Sequence, residues 1–535
     1  MANQSKSVEL FDAKAIAPFF ESKSLAVIGA STDPIKQGGR PVRYSLMSDY
    51  NGRVYPINPR ADEVQGAKAY ASLADVPGRV DCAFIALPAP AVEAAITDCA
   101  EKGVRAAVII SAGFAEVGPE GRRHQERITA IAREAGMSLV GPNCMGLMDI
   151  RRNFFPTFAP IFGFNGEARP KPGNISLVSQ SGAFGAHAYE LVRARGAGFS
   201  KWVTTGNQCD VEVSDFVAYM ADDKSTDVIM VYFEGNRDAD KLMAAFRKAR
   251  ENGKPVVLLK AGRSETGVKA AVSHTGSMAG SDAAFDGFCR QFDVHRADTV
   301  GELIDISVAA AAGKFPSRPR AGLVSISGGA GALMADYCDE LGLAVPPLPK
   351  PAQAKLMKLF PFGSALNPID PTALWGQDMS VLSASMETLL KEGGHDTVVL
   401  FGSTIGINEF NRVRFEEHII PLREKYPNPL MVLSLLGAPE LIQKWRDKGF
   451  LIYEDARRAI EVTAALAKFA PIVAGSRKFP ARPRVPENLK IKPGRTFNEA
   501  DAMGALQKAG IKFVRRRLAT SRKAAQDAGA RLGFP

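Results

Sequence analysis

Short apolar, β-branched runs alternate along the chain with stretches whose apolar residues recur at helical spacing. "SLAVIGA" (24–30), "RVYPIN" (53–58), "VDCAFIAL" (80–87) and "VRAAVIIS" (104–111) are nearly continuous apolar runs, the pattern of strands covered by helices on both faces. "APAVEAAITDCAEKG" (89–103) reads as a helix between two of them, and "AGMSLVGPN" (135–143) closes this first unit. A Pro- and aromatic-rich span, 153–173, reads as a loop. A second unit opens at "NISLVSQSGAFGAHAYELV" (174–192) and continues through "TDVIMVYFEG" (226–235) and "KPVVLLKAG" (254–262). A third opens at "RAGLVSISGGAGALMADYC" (320–338) and continues through "DTVVLFGS" (396–403) and "NPLMVLSLLG" (428–437). This alternation predicts an α/β protein of three consecutive parallel-sheet units. The openings "LVSQSGAFG" and "LVSISGGAG" share strand, S-x-S-G and helix, the mark of a duplicated strand–turn–helix module. Residues 475–495 are rich in Pro, Lys and Arg and read as a linker, followed by a segment with room for two short helices.

Composition narrows the class. The 535 residues are 46% hydrophobic and 23% charged, too many for one core and suited to several domains. No apolar run is long enough for a membrane-spanning helix, and the first twenty residues lack the long apolar stretch of a secretory signal. The six cysteines form no CxxC pair and read as reduced thiols, so a cytoplasmic protein without membrane association is expected. The formal charge is +10, but fifteen Lys/Arg against four Asp/Glu fall within 471–535. The body is therefore close to neutral. A basic tail on a neutral body argues against nucleic acid as partner and for a solvated surface or a protein-facing one.

Several turns carry residue types suited to chemistry. "VIGASTDPIKQGG" (27–39) leads a strand into a Gly-rich turn and a helix, either a tight turn or a receptor for phosphate on free N–H groups. It is not a GxGxxG, and "INPR" (57–60) stands where an NAD-binding chain would carry an acidic residue, which disfavours an NAD-linked oxidoreductase. "VSQSGAFG" (178–185) sets Ser179 and Ser181 at a helix start, as plain N-caps or as a phosphoryl cradle. Ser181 is not in the G-x-S-x-G frame of a hydrolase elbow. "GPNCMG" (141–146) offers a turn, an amide and the Cys144 thiol. "VYFEGNRD" (231–238) places Glu234 at the carboxyl end of an apolar strand, where α/β sheets put ligand-handling groups. "AVSHTGSMAGSD" (271–282) surrounds His274 with small residues, so the ring is an exposed loop histidine or a phosphoryl carrier with room to move. Neither H-x-x-H nor a neighbouring Cys supports a metal there.

Taken in order, the GAS turn, "PAP", "AGFAE", "GPNCMG", "SQSG", "GNQ", "FEGN" and "SHTGSMAGSD" resemble the acyl-CoA synthetases (NDP-forming), the superfamily of the succinyl-CoA synthetase α subunit, over about residues 20–470. The resemblance implies a CoA-binding Rossmann-like domain over 1–150, a flavodoxin-like domain with a phosphohistidine loop over 151–315, and a second flavodoxin-like ligase domain over 316–474. It implies a linker and the short opening of an ATP-grasp domain over 475–535. It casts His274 as the phosphorylated residue and Glu234 as the carboxylate steadying it, with Ser179, Gln180, Ser181 and Gly182 receiving phosphate. Gly29, Ala30 and Ser31 would contact CoA, with Asn58, Pro59 and Pro88 nearby and Asn143 and Cys144 near its thiol end. Implied substrates are a carboxylic acid and CoA. ATP/ADP and Mg2+ would be handled by an ATP-grasp domain or subunit, and the protein would be a homo- or hetero-oligomer. No metal site is implied in the chain itself. The rival expectation is a non-catalytic CoA- or acyl-CoA-binding module that has lost its ATP-grasp domain.

Overall fold

The computed structural model describes residues 10–162, 169–235, 237–267, 269, 282–475, 496–508 and 510–533. The chain divides into two compact units, Met1–Ser476 and Arg477–Pro535. Among its described residues the larger unit carries three sheets of four or more strands and one two-stranded ribbon.

The first sheet contains β1 (Ser24–Ile28) and β2 (Arg53–Ile57); a two-stranded ribbon of β3 (Glu63–Val64) and β4 (Ala67–Lys68) intervenes before β5 (Cys82–Ile85), β6 (Ala106–Ile109) and β7 (Ser138–Val140). Its order is β2-β1-β5-β6-β7, all parallel. Every residue of β1, β5, β6 and β7 is buried, which explains why the sequence shows apolar runs there rather than alternation. The chain winds outward from β1 in one direction and then in the other. This leaves a crevice at the carboxyl ends of β1 and β5, where doubly wound sheets bind ligands.

The second sheet repeats the plan with one added edge. It comprises β8 (Gly146–Asp149), β9 (Pro172–Ser179), β10 (Phe199–Thr204), β11 (Val228–Phe233), β12 (Val256–Lys260) and β13 (His295–Ala297), in the order β13-β12-β11-β9-β10-β8. Only β8 runs antiparallel. Its switch point lies between β9 and β11. The third sheet, β14 (Gly322–Ser325), β15 (Thr397–Gly406), β16 (Leu430–Gly437) and β17 (Leu451–Tyr453), is parallel in chain order, and a single bridge from Val324 to Ile369 extends it on the far side of β14.

The duplicated module survives in hydrogen-bond detail. Ser179 Oγ donates to the Ser181 carbonyl at 2.7 Å, and Ser325 Oγ donates to the Ser327 carbonyl at 2.7 Å. Ser181 then caps helix Gly182–Ala194 and Ser327 caps helix Gly328–Leu341. The backbone N–H of Gln180 reaches Tyr232 O at 3.2 Å; that of Ile326 reaches Phe401 O at 3.2 Å. One amide-bearing residue, Gln180, thus occupies a place that an isoleucine fills in the copy.

Leu177, Trp202, Leu323, Val432 and Phe469 belong to one continuous core, so the second and third sheets share their packing. Asp305, 2% exposed, pins that junction: it accepts from Arg195 Nε at 2.7 Å and from the Arg458 guanidinium. The aromatic span read as a loop is packed. Phe154, Phe155 and Phe162 are fully buried, and Phe162 stacks on Tyr44 of helix Arg40–Met47 at 4.6 Å. Turn-forming prolines concealed a plug between the first two sheets. Short strands β8, β13 and β17 also went unseen, because three or four residues carry too little periodicity to register. The linker reading falls on 475–495, and 476–495 lie outside the described residues. In the smaller unit two helices form, Glu499–Lys508 and Arg522–Leu532. Among the described residues no helix is long and apolar enough to cross a membrane.

Candidate active site

Gly29 follows β1 with φ +83°, and a Cβ there would lie 2.5 Å from Ala86 O and 2.9 Å from Leu87 Cδ2. Only glycine allows the turn to pass so close to the end of β5. The N–H groups of Gly29 and Ala30 donate to Ile57 O, each at 3.2 Å, and Asn58 Nδ2 donates back to Ala30 O at 2.9 Å. Ser31 Oγ accepts from Asp33 N at 3.1 Å, and Gln65 Nε2 ties Ser31 O to Gly39 O. Asn58 Oδ1 accepts from Arg60 N, which leaves Pro59 exposed at the rim. Pro88 starts helix Ala89–Glu101 at the end of β5. Gly29, Ala30, Ser31, Asn58, Pro59 and Pro88 thus gather at the carboxyl edge of the first sheet.

At the same edge a cavity of about 540 Å3 opens against the second sheet. Asn143 and Cys144 contribute from one side; Gln180, Ser181 and Gly182 contribute from the other. Two turns hold these sides together. Gly206, φ +55°, passes so close to the GPNC turn that a Cβ would lie 2.3 Å from Pro142 O and 2.5 Å from Asn143 O. Met145 Cγ would lie 2.5 Å from a Cβ on Gly182, so the helix start is bare backbone under a thioether. Asn143, φ +60°, donates its N–H to Ser111 O at 2.9 Å. The Cys144 Sγ is buried and lies 3.4 Å from Ile109 O, and burial pushes its thiol up to about 12. A thiol held neutral in this way is no nucleophile.

Gln180 crosses the switch point of the second sheet. Its Nε2 donates to Gly235 O at 2.7 Å, and its Oε1 accepts from the N–H groups of Gly235 at 3.0 Å and of Glu234. Glu234 is thereby fixed at the end of β11 with 7% exposure. Tyr232, two residues earlier on the same face, stacks on Phe184 at 3.9 Å; burial, the Glu234 charge and a hydrogen bond to Glu234 push its phenol up to about 12. Ser179 is fully buried, its hydroxyl engaged by Ser181 O and its carbonyl by Thr205 N at 2.8 Å, and it stands behind the cavity rather than in its lining. His274 lies outside the described residues. Past that stretch, Asp282 accepts from Arg296 Nη2 at 2.6 Å and faces Lys260 Nζ at 3.4 Å. This anchors helix Asp282–Gln291 to the ends of β12 and β13.

The residues not singled out by sequence reasoning are Glu116, Gln125 and Asn207. Asn207 Nδ2 donates to Glu116 Oε2 and, at 3.1 Å, to Gln125 Oε1. Burial alone would raise the Glu116 carboxyl; hydrogen bonds from Asn207, Gly113 and Phe114 outweigh it and hold the group below the usual carboxylate range. Glu116 and Asn207 stand inside "AGFAE" and "GNQ", strings that served only to mark a resemblance, and nothing in one sequence says they meet.

Fold and site together define a class: an α/β protein in which a turn following the first parallel sheet and a serine-capped helix start of the second meet at one cavity. Known proteins say which family this is. A CoA binding domain model matches residues 23–149, and a succinyl-CoA ligase like flavodoxin domain model matches residues 172–310. The chain is 34% identical over 466 residues to the α subunit of acetate–CoA ligase (ADP-forming) II of Pyrococcus furiosus, covering 85% of this chain and 98% of that one. It is 31% identical to 4-hydroxybutyrate–CoA ligase (ADP-forming) of Nitrosopumilus maritimus, covering 97% of this chain and 74% of that one. Among solved structures, the dinucleotide forming acetyl-coenzyme A synthetase 1 of Ca. Korarchaeum cryptofilum, in complex with phosphate and ADP, matches with TM-score 0.77 and 30% identity over 87% of this chain and 98% of that one. The chain belongs to the NDP-forming acyl-CoA synthetases, which are acid–thiol ligases.

Proposed function

We propose that this chain carries the CoA-binding and phosphoryl-carrying half of the ligase reaction, with His274 as the carrier. A nucleotide phosphorylates the imidazole, the phosphoryl group passes to a substrate carboxylate, and the CoA thiol displaces phosphate from the acyl phosphate to leave the thioester. Each transfer exchanges one activated bond for another, so no single step carries the whole condensation. The observation behind this reading is the shared cavity, with Asn143 and Cys144 on one side and Gln180, Ser181 and Gly182 on the other. It lets an acyl phosphate held at the helix start face a thiol delivered along the first sheet. Glu234 fits the role of the group that orients the imidazole, since the three bonds of Gln180 fix the backbone on which it stands. Gly29, Ala30, Ser31, Asn58, Pro59 and Pro88 are assigned to CoA.

We assign residues 1–150 to the CoA domain, 151–315 to the phosphohistidine domain, 316–474 to the second ligase domain, and 475–535 to a linker and the opening of an ATP-grasp domain. Among the described residues no cluster of three or more His, Cys, Asp or Glu offers a metal site. Mg2+ and the nucleotide are assigned to an ATP-grasp domain or subunit, which makes a hetero-oligomer or a longer parent chain the working form in the cytoplasm. The test is phosphoryl labelling by acyl phosphate, or by ATP with an ATP-grasp partner. His274→Ala is expected to abolish labelling while CoA affinity, read by calorimetry, stays unchanged. A variant that still labels overturns the assignment, and a parent protein that binds CoA yet never labels supports a non-catalytic CoA-binding module instead.

A further inference from the structure

We propose that Glu116 is a positioning residue for thioester formation, acting through Asn207 to fix which end of the Asn143 amide is turned into the cavity. The inference rests on the reading that this cavity receives the thiol end of CoA. A carboxylate can only accept hydrogen bonds. Glu116 Oε1 accepts from the backbone N–H groups of Gly113 at 2.6 Å and Phe114 at 3.2 Å, and its Oε2 accepts from Asn207 Nδ2. The other Nδ2 hydrogen is taken by Gln125 Oε1 at 3.1 Å. With both hydrogens engaged, Asn207 must turn Oδ1 toward Asn143, where only Nδ2 can meet it, at 3.4 Å. Asn143 is left with a fixed amide orientation, and both asparagines line the cavity.

Shape alone does not choose this arrangement, because an amide and its 180° flip fill the same volume. Backbone contacts do not choose it either. Asn143 is held by its N–H on Ser111 O and Asn207 by its N–H on Pro142 O at 2.9 Å, bonds that leave both side chains free to turn. The choice comes from the one group in the chain of bonds that has no donor. The arm of CoA ends in an amide, which donates at one end and accepts at the other, and a thiol, so fixing which end of the Asn143 amide faces the cavity fixes the one register in which the arm finds its partner.

The test swaps the ends of the relay. Glu116→Gln keeps the size and the bonds to Gly113 and Phe114 but sets a donor against Asn207 Nδ2; the flip it forces passes on to Asn143. Asn207→Asp sets carboxylate against carboxylate. Calorimetric CoA affinity of each single variant is expected to fall about tenfold or more. In E116Q/N207D the introduced amide donates to the introduced carboxylate, whose second oxygen again accepts from Asn143; Gln125 turns its amide to donate to the same carboxylate, giving up only the 3.4 Å bond its oxygen accepts from Ala115 N. Affinity is then expected to return to within about threefold of the parent. Single variants that bind CoA as the parent does overturn the proposal. A double variant that regains the melting temperature but not the affinity also overturns it, because the bonds would then serve structure alone. A double variant that does not fold counts against the relay as well, since with the Gln125 amide turned every contact of the relay again pairs a donor with an acceptor; if only a single variant fails to fold, parent and double variant still decide. A parent protein that binds no CoA refutes the reading of the cavity, and the proposal with it.

Discussion

Gln180→Glu replaces one buried amide nitrogen by oxygen and leaves the side chain's shape alone. The two bonds accepted by Oε1, from Gly235 N at 3.0 Å and from Glu234 N, persist and gain from the charge by about 1 kcal/mol. The bond donated by Nε2 to Gly235 O at 2.7 Å is lost, and two acceptors face each other in a buried place. Losing a bond of about 1 kcal/mol and leaving a buried carbonyl without a donor at about 1–3 kcal/mol, offset by that gain, gives a net loss of about 1–3 kcal/mol at pH 7. The pH dependence identifies the cause. Protonation restores a donor to Gly235 O, so the introduced carboxyl has a folded-state pKa above its unfolded value of about 4.3. Its contribution to stability is complete below that unfolded value and is lost as pH rises through the higher, folded one. The deficit against the parent is therefore small near pH 4 and full at pH 7. Urea titrations of both proteins across that range measure it. A deficit independent of pH, or none at pH 7, refutes the account of how Gln180 holds Glu234.

Two other outcomes follow from burial. Asp305→Ala removes the carboxylate shared by Arg195 and Arg458 at the junction of the second and third sheets, leaving Arg458 with Glu454 and both partly solvated arginines otherwise in place; losing these charged hydrogen bonds is expected to cost about 1.5–3 kcal/mol in urea unfolding, whereas an effect below about 1 kcal/mol would show that the two sheets do not depend on it. Cys144, its thiol pushed up to about 12 by burial, is expected to resist iodoacetamide at pH 8 in the native protein and to react only after unfolding. Mass spectrometry of the labelled peptide reads this, and Cys144→Ser should leave thioester formation intact; rapid native labelling would contradict the packed turn.

What the sequence determined by itself is the set of elements that bury apolar runs. Parallel strands hidden on both faces must be continuously apolar, so β1, β5, β6 and β11 were legible as runs, and β9 from Asn174 on, its first two residues having been read as the end of the loop. Turns that demand glycine or a capping serine, at Gly29 and Ser181, were legible for the same local reason: one residue's backbone requirement selects its type. The order of motifs was enough to name a family. Tertiary structure alone decided which motifs meet. Gln180 bonding across to Glu234, Gly206 pressed on Pro142, and Asn207 joining Glu116 to Asn143 are contacts between residues 54 to 91 positions apart. No periodicity encodes such contacts, because they depend on the winding of whole sheets. The aromatic plug at 154–162 shows the same limit from the other side: its prolines describe a local turn, while its burial is set by the two sheets that close over it.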